Sequence, residues 1–302
     1  LVIKDIYERK LESGQIPVNK KEKLTIGVPS KGRLSEPVLD LLKRAGLKFR
    51  RGTRSLYAHC KKNPITLVFV RAEDIPLLVA EGALDLGITG SDLVIEKNAK
   101  IQELMDVGIG ECKLSIAIPV NKVKTLKALK GKRIATSFPV ITSKFFKKIG
   151  IPVKIFEVSG SVEVMIALGL ADAIVDIVET GDTLKENGLE IIQDIDHYKT
   201  ILIANKNIAK TAKALWLKKR IEGVVIADQY CLLEYNIHKK NIPSAEKIAP
   251  GFESPTISQL EEKDWFAIKV MVKMHEIHEV MDQLEEVGAT AIMQTTINNC
   301  RL

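Results

Sequence analysis

The run Ile65-Thr-Leu-Val-Phe-Val70 is apolar at nearly every position. A strand with one wet face alternates polar and apolar residues. A continuous run of this length instead marks a strand covered on both faces, as in a parallel sheet flanked by helices. The neighbouring sequence agrees. Leu24-Thr-Ile-Gly-Val28 reads as another strand, followed by the loop Pro29-Ser-Lys-Gly-Arg33 and a helix opening near Ser35, a natural N-cap, with Pro37 in its first turn. Val38, Leu41, Leu42 and Ala45 fall on one face of that helix, and Gly46 ends it. A helix over residues 74–81 and a strand over 84–88 continue the alternation, which predicts an α/β fold with a parallel or mixed sheet.

A second lobe is predicted to begin after Gly108-Ile-Gly110, with strands at 114–118, 133–136, 153–158 and 173–178 and helical patterns at 142–149 and 162–170. A strand at 201–204 and a long helix over 208–226 then return the chain to the first lobe, giving two lobes, two crossings and a cleft. The tail has another rhythm. Strands at 229–237, 256–260, 265–272 and 290–295 alternate with helices at 243–249 and 274–286, the second carrying Ile277, Val280, Met281 and Leu284 on one face. The order β-α-β-β-α-β is the ferredoxin-like plan. Units of this plan often bind small effectors, but fold alone does not establish that.

At 302 residues the chain has room for about two domains, or three small ones. No apolar run approaches the ~20 residues of a membrane span. Residues 1–23 carry no apolar core with a small-residue cleavage site, so a cytoplasmic, non-membrane protein is expected. Cys60, Cys112, Cys231 and Cys300 are dispersed, which argues for reduced thiols over a zinc site or disulfide scaffold. The net charge of +7 comes from scattered lysines, and 5% aromatic residues leave little surface for base stacking. An anionic small-molecule substrate explains the charge more simply than nucleic acid, whose binder would show a steep salt dependence.

Two strand ends resemble each other. Asp85-Leu-Gly-Ile-Thr-Gly-Ser-Asp92 lies in the first lobe and Asp172-Ala-Ile-Val-Asp-Ile-Val-Glu-Thr-Gly-Asp-Thr183 in the second. Each places a Thr-Gly pair where a strand hands over to a helix, so that backbone amides can aim at phosphate oxygens. One such pair is ordinarily a turn; two in facing lobes carry more weight. In the second segment, carboxylates at Asp172 and Asp176 can hold ribose hydroxyls or Mg²⁺, and the hydroxyl-rich glycine loop can hold a 5-phosphate. That suits phosphoribosyl pyrophosphate. The two aspartates are four apart and share one face of the strand, so one of them is free to be structural.

The run Gly160-Ser-Val-Glu-Val164 followed by residues 169–189 resembles the signature of the ATP phosphoribosyltransferases. Pro29-Ser-Lys-Gly-Arg-Leu34, Arg71-Ala-Glu-Asp-Ile-Pro76, Asp85-Leu-Gly-Ile-Thr-Gly90, Lys113-Leu-Ser-Ile-Ala117 and Gly131-Lys-Arg-Ile-Ala-Thr-Ser-Phe138 agree in order. The tail, from Gly251-Phe-Glu-Ser-Pro-Thr-Ile257 to Gly288-Ala-Thr-Ala-Ile292, is similar to the regulatory domain of the long form. The resemblance runs from Leu24 to the end and leaves 1–23 as an extension without a role.

The resemblance implies an α/β, two-lobed periplasmic-binding-protein-like catalytic core and a ferredoxin-like (ACT-like) regulatory domain. The expected bounds are 24–111 with 200–221 for lobe I, 112–199 for lobe II and 222–302 for the regulatory domain. It implies that adenine N1 of ATP displaces pyrophosphate from phosphoribosyl pyrophosphate, the first step of histidine biosynthesis. Mg²⁺ would arrive on the substrate phosphates, with Asp172 and Asp176 as candidate protein ligands. Glu163, Asp172, Asp176, Thr180, Gly181, Asp182 and Thr183 are expected at phosphoribosyl pyrophosphate. Lys31, Gly32, Arg33, Arg71, Asp92 and Leu93 are expected on the ATP or pyrophosphate side, with Arg54 a further candidate. Lys and Arg are surface charges by default; Arg33 and Arg71 stand out because both follow strand ends. Phe138, where many relatives have Tyr, implies adenine stacking without a hydroxyl bond. Asn236, Phe252, Ser254, Thr256 and Ala291 match positions lining the pocket for free histidine, the inhibitor, and a dimeric or hexameric homo-oligomer is implied. Two rival readings share parts of this pattern. A periplasmic solute-binding module would want a signal peptide and lack the acidic TGDT loop. Another phosphoribosyltransferase would have a single-lobe core without this tail.

Overall fold

The computed structural model describes residues 24–52, 55–120, 122, 125–178 and 181–301. The extension 1–23, Arg54 and the expected contact Thr180 therefore lie outside the described residues. Two compact units form, one from Leu47–Lys218 with the described chain up to Asp40, the other from Leu41–Gly46 and the chain from Lys219 onward.

The first unit holds two sheets. In chain order, β1 (Leu24–Pro29), α1 (Ser35–Arg44), β2 (Tyr57–His59), β3 (Ile65–Val70), α2 (Ile75–Ala80), β4 (Leu86–Gly90), α3 (Ser91–Glu96) and β5 (Gln102–Asp106) open the chain. The second sheet is built from β6 (Cys112–Pro119), β7 (Arg133–Thr136), α4 (Pro139–Lys148), β8 (Lys154–Glu157), α5 (Val164–Ala167), β9 (Ala173–Val178), α6 (Asp182–Glu186) and β10 (Leu189–Tyr198). Then β11 (Thr200–Ala204) leads into α7 (Ala212–Gln229). The first sheet has the order β2-β3-β1-β4-β11-β5 and the second β10-β6-β9-β7-β8. The chain thus leaves the first sheet after β5 and rejoins it at β11, two crossings as expected. Three strands run parallel in each sheet: β3, β1 and β4 in the middle of one, β9, β7 and the edge strand β8 in the other.

Residues of β1 are buried throughout, and those of β3 from Ile65 to Phe69, as their unbroken apolar runs require. Helix α2 lies so close on β4 that a Cβ at Gly87 would sit 2.3 Å from Ile75 Cγ2. Asp85 stitches β4 to β1: its Oδ2 accepts from the Thr25 amide (2.7 Å) and hydroxyl (2.8 Å). In the second lobe, the two faces of the sheet bury separate clusters, one around Ile116, Ile134 and Val175, the other around Ala117, Ile174 and Leu184.

The second unit folds as β12 (Tyr230–His238), α8 (Ile242–Ile248), β13 (Thr256–Gln259), β14 (Trp265–Lys273), α9 (Ile277–Glu286) and β15 (Thr290–Thr296). Its sheet order is β13-β14-β12-β15 with every neighbouring pair antiparallel, the ferredoxin-like topology. Cys231, Leu233, Tyr235 and Ile237 of β12 point inward at period two and pack with Ile277, Val280 and Leu284 of α9.

Some elements depart from the expected pattern. The helix expected over 162–170 shrinks to Val164–Ala167, because Gly169 turns the chain at φ +67°. The long helix starts at Ala212, because residues 205–211 close tight turns and the Thr211 hydroxyl accepts from the Ala214 amide at 3.4 Å. Strands β2, β5 and β10 are additional to the expected set.

Candidate active site

In open α/β sheets, ligands gather outside the carboxyl ends of parallel strands. Here those ends carry the residues under suspicion. In the first lobe, β1, β3 and β4 lie side by side and hand over to Ser30–Arg33, Arg71–Asp74 and Ser91-Asp92. Lys31, Gly32, Arg33 and Arg71 are exposed. Arg33 Nη1 donates to the Gly110 carbonyl at 2.8 Å, on the segment crossing to the second lobe. The Thr89 hydroxyl donates to the Ala72 carbonyl at 2.8 Å, tying the end of β4 to the loop after β3.

Asp92 and Leu93, expected on the ATP side, lie in the first turn of α3, directly after β4. Asp92 is 2% exposed, and burial raises its carboxyl above the usual range. A Cβ at Gly90 would lie 2.0 Å from Asp92 Oδ1, so this Thr-Gly glycine makes room for the carboxylate. Half-buried Leu93 packs against the core of the second lobe. Asp92 Oδ1 is buried without a hydrogen-bond partner among the described residues.

In the second lobe, β9 leads into the acidic loop. Asp176 Oδ1 accepts from the Ile177 amide at 2.8 Å. Its carboxyl is pushed up to about 6, chiefly by burial and further by the nearby charge of Glu163. Gly181 takes the left-handed conformation (φ +84°) that closes the turn, and Asp182 and Thr183 form the exposed first turn of α6. Glu163, Asp176 and Gly181–Thr183 are thus all at the carboxyl end of this sheet.

Asp172 is not. It precedes β9, about 13 Å from Asp176 along an extended chain. Arg133 binds it with its backbone amide (2.9 Å), Nε (3.1 Å) and Nη2 (3.2 Å), which holds its carboxyl below the usual range. The expectation that Asp172 contacts substrate or Mg²⁺ is corrected: it joins the starts of β7 and β9. Phe138 is corrected as well. At 5% exposure it lies in the core of the second lobe, leaving no face for adenine.

Two structural contacts lie outside the sequence reading. Both carboxylate oxygens of Glu96, on α3, accept from the Val140 (2.8 Å) and Ile141 (2.9 Å) amides that open α4, so a side chain of one lobe caps a helix of the other. Ser115 lies opposite Asp176 in the β6–β9 register, and its hydroxyl donates to Asp194 at 2.7 Å. Neither has a local sequence signal. A cavity of about 250 Å³, lined by Lys113, His197 and Lys199 among others, opens beside Val178. Among the described residues no group of three or more His, Cys, Asp or Glu side chains could hold a metal. No helix among them is long and apolar enough to cross a membrane.

Residues 71–225 match the ATP phosphoribosyltransferase family (HisG), and residues 227–299 match the HisG C-terminal domain. An ATP phosphoribosyltransferase of Rhodopirellula baltica is 51% identical over 280 residues, which cover 92% of this chain and 94% of the relative. The chain belongs to the ATP phosphoribosyltransferase family. It is therefore a phosphoribosyltransferase of histidine biosynthesis. The Schizosaccharomyces pombe member is 38% identical over 301 residues, covering 93% of this chain and 97% of its own. Among solved structures, the ATP phosphoribosyl transferase (HisG:HisZ) complex from Thermotoga maritima has a TM-score of 0.57 and 33% identity, covering 66% of this chain and 98% of that one.

In the second unit, the expected effector residues do not form one cluster within a chain. Thr256 opens the edge strand β13, Ala291 (φ +50°) lies on the opposite edge β15, and Asn236 sits between on β12. Three strand spacings, about 14 Å, separate the two edges. Ser254 and Thr256 are exposed, and Phe252, 54% exposed, meets the Tyr230 ring edge-on at 6.2 Å.

Proposed function

We propose that the enzyme joins ATP to phosphoribosyl pyrophosphate at the carboxyl-end loops of its two sheets. The adenine N1 lone pair attacks C1 of the ribose, the C1–O bond breaks, and its electron pair leaves on pyrophosphate. The observation that carries this reading is Asp176, largely buried near the end of β9, ahead of the loop containing Gly181 and within reach of the Glu163 charge. Two crowded carboxylates are well placed to accept from neighbouring ribose hydroxyls, whose donated protons offset both burial and mutual repulsion. Backbone amides at Gly181–Thr183 and the Thr183 hydroxyl would take the 5-phosphate. Lys31, Arg33 and Arg71 would face the triphosphate and the departing pyrophosphate. Such chemistry needs alignment and charge screening more than a protein nucleophile. Mg²⁺, carried by the substrate phosphates, would neutralise the leaving group, and Asp176 and Glu163 would offer it hard oxygen donors.

The test is direct. With Mg²⁺ and both substrates, pyrophosphate and phosphoribosyl-ATP should form together, and neither substrate alone should release pyrophosphate. Rapid release from one substrate alone would sink the transfer reading.

The ferredoxin-like unit supports a second element of the proposal, inhibition by free histidine. Thr256 and Ala291 lie on opposite edges of its sheet, so a pocket containing both would need two copies side by side, in keeping with a dimeric or hexameric enzyme. Coupling between separate sites typically amounts to about 5–150-fold. Histidine should therefore raise the apparent KM or lower kcat by a factor in that range, and Ser254→Ala with Thr256→Val should abolish the effect without changing uninhibited turnover. Undiminished inhibition in that double variant would place the histidine site elsewhere.

A further inference from the structure

The backbone of the loop Ser30–Arg33 is pinned at its two ends, and Arg33 Nη1 donates to the Gly110 carbonyl at 2.8 Å. The Ser30 amide donates to the Val70 carbonyl at 2.7 Å and the Ser35 amide to the Gly32 carbonyl at 3.1 Å. Lys31, Gly32 and Arg33 are exposed between these points, with Gly32 at φ +84°. A glycine in that conformation gives the segment many alternatives, yet two of the cations proposed to meet substrate phosphates hang from it.

Arg51 adds a side-chain constraint at both ends of the loop. Its Nη2 donates to the Ser30 carbonyl at 2.7 Å, and its Nη1 reaches the Ser35 hydroxyl at 3.4 Å. The guanidinium carbon also lies 4.2 Å from the centroid of the Phe69 ring, itself only 3% exposed on β3. One planar group therefore grips the residue before the loop and the residue after it, while stacked on the buried strand beside β1. A guanidinium can do all three at once because its donors lie in a rigid plane with an open face. An ammonium cannot.

We infer that Arg51 is a positioning residue for the substrate cations: it holds the Ser30–Arg33 loop in shape so that Lys31 and Arg33 meet the phosphates. This rests on the proposed placement of that loop at ATP and pyrophosphate. Arg51 acts through the loop and not on the reacting atoms.

Two measurements on the full-length enzyme test it. Hydrogen exchange at the amides of residues 30–35 should speed up in Arg51→Met and in Arg51→Lys, whatever the loop binds. In kinetics, Arg51→Met should lower kcat/KM for ATP by about 10–100-fold, the scale on which small misplacements act, with KM for phosphoribosyl pyrophosphate within about twofold of the parent. Arg51→Lys should recover little of that loss. With Arg33→Ala already in place, Arg51→Met should cost no more than about threefold, because coupled residues are non-additive. Losses that multiply independently would overturn the inference, as would unchanged exchange at 30–35. If Arg33→Ala alone leaves activity intact, the loop's assignment to ATP fails, and the exchange experiment still decides whether Arg51 holds the loop. Should Arg51→Met fail to fold, Arg51→Lys carries both measurements.

Discussion

Asp176→Asn is expected to yield an enzyme that is more stable at neutral pH and badly impaired in binding phosphoribosyl pyrophosphate. The carboxyl of Asp176 is shifted from an ordinary 3.8 to about 6 by burial and by Glu163. A group that binds its proton more tightly folded than unfolded stabilises the fold fully below the unfolded value. That contribution is lost as pH rises through the folded value. Above about pH 6 the native state therefore carries a strained carboxylate, at a cost of roughly 2–3 kcal/mol. An amide has no such charge and keeps an oxygen for the Ile177 amide. Thermal unfolding near neutral pH should rise by about 4–8 °C, and the gap between the two proteins should close as pH falls towards 4. The ribose hydroxyls lose a charged acceptor, worth about 1.5–3 kcal/mol, so affinity should drop about tenfold or more. Melting curves from pH 4 to 8 and titration calorimetry check both halves. A variant no more stable than its parent at neutral pH would show that the carboxylate is not strained.

Much of this architecture was legible because it depends on local pattern. The apolar run of β3, the alternation in β12 and the β-α-β-β-α-β order of the tail each report burial geometry directly. The acidic loop was legible too, through Gly181 and Asp176. What escaped depends on distant partners. The edge strand β5 has two exposed residues out of five and no apolar stripe, so only its pairing with β11 makes it a strand. Irregular register steps in β10 blur its period. Asp172 and Asp176 look equivalent in sequence; Arg133, 39 residues away, makes one of them structural. The glycine of the first Thr-Gly pair leaves room for Asp92, a buried carboxylate.

Glu96 gives the second large effect, and it follows from a contact no local rule anticipates. Helix α4 was expected from residue 142 but begins at Pro139, because the Val140 and Ile141 amides find their acceptors in a carboxylate from the other lobe. Glu96 is 8% exposed, and the Ile141 amide is buried. Glu96→Ala leaves both amides of that first turn without a partner and removes a negative charge from a helix N-terminus. Hydrogen bonds to charged groups contribute about 1.5–3 kcal/mol each, but burying the carboxylate costs part of this. A net loss of about 3 kcal/mol is expected, which would lower the melting temperature by roughly 6–12 °C. Glu96→Gln keeps one oxygen and turns an amide nitrogen towards the other N–H, so it should lose about half as much. Because the bond ties the lobe carrying Arg33 to the lobe carrying Asp176, the catalytic loss should fall on both substrates alike. That separates it from Asp176→Asn, which should spare ATP. Melting curves with kcat/KM for each substrate check the pair of claims. A Glu96→Ala enzyme melting within about 2 °C of the parent would mean that the cap contributes nothing to holding the lobes together.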